Sequence, residues 1–425
     1  SQFYHHTWWK YYDNFVKYMS RLGHMLSAGK HIAKILMLYP INSAWANYKP
    51  SGPDKLFNLM QSDFDYLTDL LLRLHYDFDY TDEDILAEAE VVNGKIKINQ
   101  EEFSVVFLPP ITAMQQSAFD KLHEFVSQGG TVIADTIIPS SLLDAKDDNS
   151  LIHIKKLFGK DPADLLKHLN NGSSFAINKV SSIGKGSVYL FEGKGLSVED
   201  KETEIKKLLN EIVTPDITIS EEEVFYLHRV KDDHDLFFLT NTQQKNLGDV
   251  KITFEKVGTP ELWNPETGEI NKMHQYSIEN SRLQITLPFD STQSHFVIIK
   301  DELEKPFVSS SNFTVTELAN EKLKGYTKEK INNATASIVT ADGEKTVSTD
   351  ALQKLDDIKL NGSYSFDISE DNVLCIGKYK MMMEDDLSNV DEVMKENYDD
   401  SNWLHVTMGA WEMQLPQERD DATYP

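Results

Sequence analysis

The sequence predicts a multidomain chain, an α/β layer followed by all-β units, and two observations carry that reading. From Ile32 to about Pro215, short continuous apolar runs alternate with stretches of helical spacing, the grammar of a doubly wound, mostly parallel sheet with helices on both faces. After Pro215 the helical spacing stops and strand-like runs follow one another with turn residues between them, as in a sandwich of antiparallel strands. At 425 residues the chain is long for one core, so about two to four domains are expected.

Residues 1–30 open on Phe3-Tyr4-His5-His6-Thr7-Trp8-Trp9-Lys10-Tyr11-Tyr12 and continue into a helical pattern from Tyr11 to Leu26, broken at Gly29-Lys30. This opening reads as the remnant of an upstream domain rather than as the start of a fold. Within residues 31–215 the strand candidates are Ile32–Leu38, Ser104–Leu108, Gly130–Ala134 and Ser187–Phe191. Each is an uninterrupted apolar run, as a strand buried on both faces requires. Phe57–Leu74 and Ser117–Val126 supply helices, and Gly129-Gly130 supplies a helix stop directly before the third strand.

Residues 216–300 read as the β-sandwich. A hairpin is expected from Glu223–Val230 and Leu236–Asn241 across Lys231–Asp235, with later strands at Val250–Phe254, Leu262–Trp263, Leu283–Leu287 and His295–Ile299. Residues 301–350 are polar and read as a connector with weak strands. Residues 351–425 read as the start of a further β domain, cut short after Thr423-Tyr424-Pro425.

Composition narrows the function. The net charge of −26 repels phosphate backbones, which argues against nucleic acid as a partner. No apolar run approaches the ~18 residues that suggest a membrane span. The single cysteine, Cys375, excludes an intrachain disulfide and a cysteine-rich metal site. Gly-x-Ser-x-Gly, Gly-x-Gly-x-x-Gly and Walker loops are all missing, and Gly184-Lys185-Gly186 precedes a strand, so it reads as a plain turn. His5 and His6 are adjacent and point to opposite faces if extended. The acidic clusters around Asp63, Asp77–Asp84 and Asp232–Asp235 lack calcium-loop spacing. They read as solvated loops, and neither a metal site nor a cofactor is expected.

The aromatic opening is the best candidate for function. Sugar rings present apolar C–H faces that stack on Trp and Tyr, and imidazoles hydrogen-bond ring hydroxyls. His5, His6, Trp8 and Trp9 would suit the rim of a saccharide cleft. Tyr11 and Tyr12 are expected to pack the helix instead.

Several strings together resemble glycoside hydrolase family 106, the α-L-rhamnosidase type. They are His6-Thr7-Trp8-Trp9-Lys10-Tyr11-Tyr12, Leu38-Tyr39-Pro40, Leu108-Pro109-Pro110, Phe225-Tyr226-Leu227-His228-Arg229 and Leu262-Trp263-Asn264-Pro265. The resemblance implies a post-barrel region: residues 31–215 as a flavodoxin-like (class-I-amidotransferase-like) sheet, then β-sandwich domains, with residues 351–425 as a galactose-binding-like jelly roll. It also implies an upstream catalytic barrel as partner, an oligosaccharide or polysaccharide as ligand and an extracytoplasmic location. The family's acid and base lie upstream of the Thr-Trp-Trp motif, so no catalytic residue is expected here. Calcium, if the whole enzyme holds it, has no supporting spacing in this chain. The alternative is a stand-alone saccharide-binding β-sandwich protein using Trp263, Trp403 or Trp411 as platforms. An amidotransferase-like enzyme on the α/β sheet is opposed by the lack of any cysteine before residue 375.

Overall fold

The computed structural model describes residues 8–50, 52, 55–145, 149–171, 176–181, 183–192, 198–319, 322–328, 330–353, 359–365, 378–382 and 390–407. The chain divides into two compact units, Ser1–Val16 with Asp357–Pro425, and Lys17–Asp356. Helix α1 spans Tyr12–Leu26 after a 3-10 turn at Trp9–Tyr11.

After α1 the second unit continues with strands β1 (Lys30–His31) and β2 (Ile35–Leu38), then helices α2 (Ile41–Asn47) and α3 (Lys55–Arg73) and strand β3 (Phe78–Thr81). Helix α4 (Glu83–Glu88) leads into three short strands, β4 (Glu90–Val92), β5 (Lys95–Ile98) and β6 (Glu101–Phe103). Next come β7 (Val105–Leu108), β8 (Ala113–Gln115), α5 (Gln116–Gln128), β9 (Thr131–Asp135) and β10 (Ser141–Leu143). Helices α6 (Ser150–Phe158) and α7 (Pro162–Asn171), strands β11 (Ala176–Ser181) and β12 (Ser187–Glu192), and helix α8 (Val198–Ile212) complete this stretch.

The central sheet has the order β11-β12-β9-β7-β2-β3. Its strands run parallel from β12 to β3, and β11 closes one edge antiparallel. Side chains alternate across a strand, and here the alternation divides two cores. Leu36, Leu38, Val106, Leu108, Val132 and Ala134 face one core with Phe119, Leu122 and Phe125 of α5. Ile35, Met37, Val105, Phe107 and Ile133 face the other with Leu67, Leu70 and Leu71 of α3 and Leu209 of α8. Both faces are therefore covered, which is why these strands read as unbroken apolar runs. Helix α5 ends at Gly129, whose positive φ of 120° suits a residue without a Cβ.

Two stretches differ from the sequence reading. Residues 90–103 form the antiparallel sheet β4-β5-β6, whose strands contain no continuous apolar run. Its alternating residues and the Asn93-Gly94 turn, with both φ positive, are the local signal for a hairpin. Lys30-His31 is not merely a break. It pairs antiparallel with β14 (Val224–Lys231), placing Lys30 opposite Val230 and His31 opposite Arg229.

Strand β13 (Ile217–Ile219) precedes β14, and β15 (His234–Asn241) returns from it. The β14–β15 turn is Asp232-Asp233, both at positive φ, with Lys231 opposite His234; two such residues give the turn whose twist matches the strands. The next strands are β16 (Gly248–Phe254), β17 (Thr259–Trp263), β18 (Ile270–Lys272), β19 (Ser277–Glu279), β20 (Arg282–Phe289) and β21 (Ser294–Lys300). They form two sheets, β1-β14-β15-β21-β17-β18 and β13-β16-β20-β19, which bury a shared core of Phe237, Leu239, Val297 and Ile299 against Ile252, Phe254, Ile285 and Leu287. The alternate residues Leu236, Phe296 and Ile298 point the other way, where Leu22, Met25 and Leu26 of α1 cover them. Arg21 donates to the carbonyls of Pro265 and Glu266, and Tyr18 Oη and Ser294 Oγ share a hydrogen bond of 2.8 Å.

Beyond residue 300 lie β22 (Phe307–Ser311), β23 (Thr314–Ala319), β24 (Lys322–Tyr326), β25 (Ala334–Thr340) and β26 (Gly343–Thr349). They make a three-stranded sheet, β22-β25-β26, and a hairpin, β23-β24. In the first unit, β27 (Lys378–Met381) pairs antiparallel with β28 (Leu404–Thr407), with the short helix α9 (Val390–Val393) between them in sequence.

Candidate functional site

Within the aromatic opening and the helix that follows, Trp8, Trp9, Tyr12 and Phe15 form an array of rings. Trp9 stacks on Tyr12 with centroids 5.0 Å apart and planes 14° from parallel, Trp8 lies 5.7 Å from the same ring, and Phe15 extends the series at 5.5 Å. Helical spacing brings Trp9 and Tyr12 together, since residues three apart share a face. Trp8 and Trp9 are 41% and 42% exposed, and Tyr11 and Phe15 are exposed as well. Trp8, Tyr11, Tyr12 and Phe15 line a shallow cavity of about 250 Å³. This surface offers flat π-faces to a ligand with apolar faces of its own. His5 and His6 lie outside the described residues, as do Cys375 and Trp411. Trp263 is half-buried and donates to Glu261 Oε2 at 3.1 Å. Trp403 is half-buried edge-on to Tyr398. Neither presents an open platform.

A second constellation was not anticipated. His31 is buried among carboxylates, its Nε2 2.8 Å from Asp77 Oδ2, its Nδ1 3.1 Å from Asp79 Oδ2 and 3.9 Å from Glu101 Oε1. Burial alone would lower the histidine's pKa, but Asp77 and Asp79 outweigh it and push it up to about 10. Glu101 moves upward through burial and the neighbouring charge of Asp79, while His31 helps hold Asp79 low against its own burial. The Asp77 region was expected to be a solvated loop. Instead its side chain is only 10% exposed, accepts from the His228 backbone N–H at 3.5 Å, and its own N–H donates to Tyr226 Oη.

Nearby, His228 stacks on Phe237 at 4.1 Å between two carboxylates, with Nδ1 3.3 Å from Asp216 and Nε2 2.8 Å from Asp235. Lys34 pairs with Asp216 at 2.6 Å, and Lys256 pairs with Asp235 and Asp301. Burial opposes the charge on His228, yet the two carboxylates keep its pKa raised. Asp216 and Asp235 stay below their ordinary range because His228 and the lysines outweigh their burial. The sequence hint was the spacing of Asp77 and Asp79, two apart and therefore on one face of an extended segment.

The carboxyl ends of the parallel strands, where catalytic groups of an α/β sheet sit, hold structural ties. Ser43 Oγ accepts from the Thr112 and Ala113 N–H groups and donates to the Ala113 carbonyl. Asp135 is fully buried, accepts from Thr136 Oγ1 at 2.7 Å and pairs with Lys201 at 3.1 Å. Glu83 is buried, which raises its pKa, and accepts from the Gln115 N–H.

Among the described residues no helix is long and apolar enough to cross a membrane. The family model for alpha-L-rhamnosidase, glycoside hydrolase family 106, matches residues 2–278. The chain belongs to that family. A curated relative from Formosa agariphila, named "Putative beta-glucuronidase", is 23% identical over 362 residues, covering 84% of this chain and 26% of its own length. This family 106 chain thus spans about a quarter of the curated relative it matches. Among solved structures it is similar to a rhamnosidase from Novosphingobium sp. PP1Y, with 19% identity, a TM-score of 0.45, and coverage of 78% of this chain and 31% of that one. It is also similar to a beta-galactosidase from Bacillus circulans sp. alkalophilus, with 14% identity, a TM-score of 0.45, and coverage of 67% and 44%.

Proposed function

We propose that this family 106 chain is a non-catalytic accessory region of a larger α-L-rhamnosidase-type hydrolase acting on plant-type polysaccharides. In this reading residues 31–215 are a flavodoxin-like domain and the following sheets are β-sandwich modules, which together brace an upstream catalytic barrel. Trp8 and Trp9, with His5 and His6, contribute to the rim of its sugar cleft. The observation that carries the reading is the exposed stack of Trp9 on Tyr12 beside Trp8, inside a segment that matches a carbohydrate-cleaving family. Stacked rings bind the apolar face of a sugar without any acid or base. Hydrolysis of the glycosidic bond needs two carboxyl groups placed across it, and in this reading both come from the barrel.

The test has two arms. The isolated 425-residue chain should show no turnover of an aryl α-L-rhamnoside. In the full-length hydrolase, Trp9→Ala should raise KM about tenfold, equivalent to ~1.4 kcal/mol of lost binding, with kcat within about twofold. Turnover by the isolated chain that disappears on replacing one of its own carboxylates would overturn the non-catalytic assignment. An unchanged KM in Trp9→Ala would remove the aromatic array from the cleft.

A further inference from the structure

We propose that His31, Asp79 and Glu101 form a binding site for a divalent first-row metal ion of the zinc class. The three side chains come from β1, β3 and β6, and their ligand atoms all lie within 4.8 Å of one another. His31 Nδ1 is 3.1 Å from Asp79 Oδ2 and 3.9 Å from Glu101 Oε1. An ion bonded at the usual zinc–nitrogen and zinc–oxygen lengths in a tetrahedron separates its ligand atoms by about 3.4 Å, so these spacings bracket the requirement.

The orientation of the histidine is the observation that goes beyond a group of acids. His31 is 8% exposed, and its Nε2 is held at 2.8 Å by the Asp77 carboxylate. A carboxylate on one ring nitrogen is the arrangement that fixes a metal-binding imidazole, and an ion taking the other nitrogen displaces the proton that nitrogen shares with Asp79. That other nitrogen faces Asp79 and Glu101. The supporting shell is itself held, because β1 is locked against β14 and Asp77 is tied to the Tyr226 hydroxyl. Arg229 also acts on Asp79 and Glu101 electrostatically, but its guanidinium donates to the carbonyls of Ala28 and Gly29.

Access and charge agree with this assignment. Asp79 and Glu101 side chains are 37% and 28% exposed against 9% for His31, so an ion enters from the carboxylate side. Three carboxylates, counting Asp77, provide negative charge that a dication balances. One imidazole and two carboxylates suit zinc or its first-row neighbours, whereas calcium takes six to eight oxygen ligands. Three protein ligands leave a position for water. A bound ion would fasten β1, which belongs to the six-stranded antiparallel sheet, to β3 and β6.

The test uses the full chain, stripped with EDTA and dialysed, titrated with zinc chloride by calorimetry and followed by thermal unfolding. One saturable site and a rise in Tm are expected. Glu101→Gln and Asp79→Asn should each weaken binding at least tenfold. Asp77→Asn, which removes no ligand, should weaken it about ten- to a hundredfold. Far-UV circular dichroism confirms that each variant is folded. A His5→Ala/His6→Ala chain must retain the site; loss of binding there would place the ion on that adjacent pair and overturn the proposal. So would the absence of saturable binding by the folded wild type, or unchanged affinity in both Glu101→Gln and Asp79→Asn. Tighter binding of calcium chloride than of zinc chloride would overturn the metal class.

Discussion

Replacing His228 by alanine should cost about 3 kcal/mol at pH 6, and much less in alkali. The side chain is 8% exposed, between Asp216 and Asp235 at 16% and 13%. Removing one partner of a buried ion pair costs about 3–5 kcal/mol, because the remaining charge loses its compensation. The low end applies here, since Asp216 keeps Lys34 and Asp235 keeps Lys256. Part of the cost, about 0.5–1.5 kcal/mol, is the lost stack on Phe237. The folded pKa of His228 is raised above its unfolded value of 6.5. The folded state therefore holds its proton more tightly, and the electrostatic contribution is complete below pH 6.5. It is lost as pH rises through the raised folded value. Urea unfolding at pH 6 and at pH 10, with constant m-values checked, measures the difference. Hydrogen exchange in β14 and β15 reads the same free energy locally. A cost below about 1 kcal/mol at pH 6, or an equal cost at both pH values, would refute the reasoning.

Other perturbations test other parts of the fold. His75 is buried and neutral, its pKa lowered by burial to about 4, with Nε2 3.2 Å from the Val224 carbonyl. Its contribution is present above pH 6.5 and is lost as pH falls through about 4, so His75→Asn should flatten the acid limb of a stability–pH profile. Gly186→Ala would push a Cβ to 2.1 Å from the Val126 carbonyl oxygen and 2.4 Å from that of Gly130. Neither backbone can yield cheaply, so a cost above about 3 kcal/mol is expected, visible as a large fall in Tm. Gly23→Ala is the contrast: it lies in α1 with nothing within 4 Å of the added carbon, and Tm should rise by the equivalent of ~1 kcal/mol. Leu71→Ala, in the core between α3 and the central sheet, should cost about 2–5 kcal/mol by urea unfolding.

What could be read from the sequence follows from burial. Strands β2, β7, β9 and β12 are covered on both faces, and double burial leaves an unbroken apolar run. Helices α3 and α5 bury one stripe and show its period, and Gly129 marks where α5 must stop. The mixture of helices with many sheets was legible for those reasons. Strands β4 to β6 were missed because their signal is alternation around short turns. The charged constellations left no more trace than the two-residue spacing of Asp77 and Asp79, for a different reason. His31 meets Asp77 and Asp79 across 46 and 48 positions, and His228 meets Asp235 only once β15 has folded back on β14, and Asp216 only once the sheet that begins at β13 packs against it. Spacing along a chain does not encode such meetings; strand order does. Trp8 and Trp9 could be singled out because they adjoin in the chain, whereas Tyr12, expected only to pack the helix, joins them one helical turn later.

The two-residue strand β1 has a consequence for dissecting the molecule. It sits directly before β2 in the chain, yet its hydrogen bonds belong to the edge of a sheet formed some two hundred positions later. A fragment that begins after His31 would leave β14 with a bare flank, open to strand addition from another molecule. Severing the chain after α8 would deprive each half of something the other supplies. Neither portion is self-sufficient at that seam, so fragments should be designed to carry residues 30–31 together with 224–241.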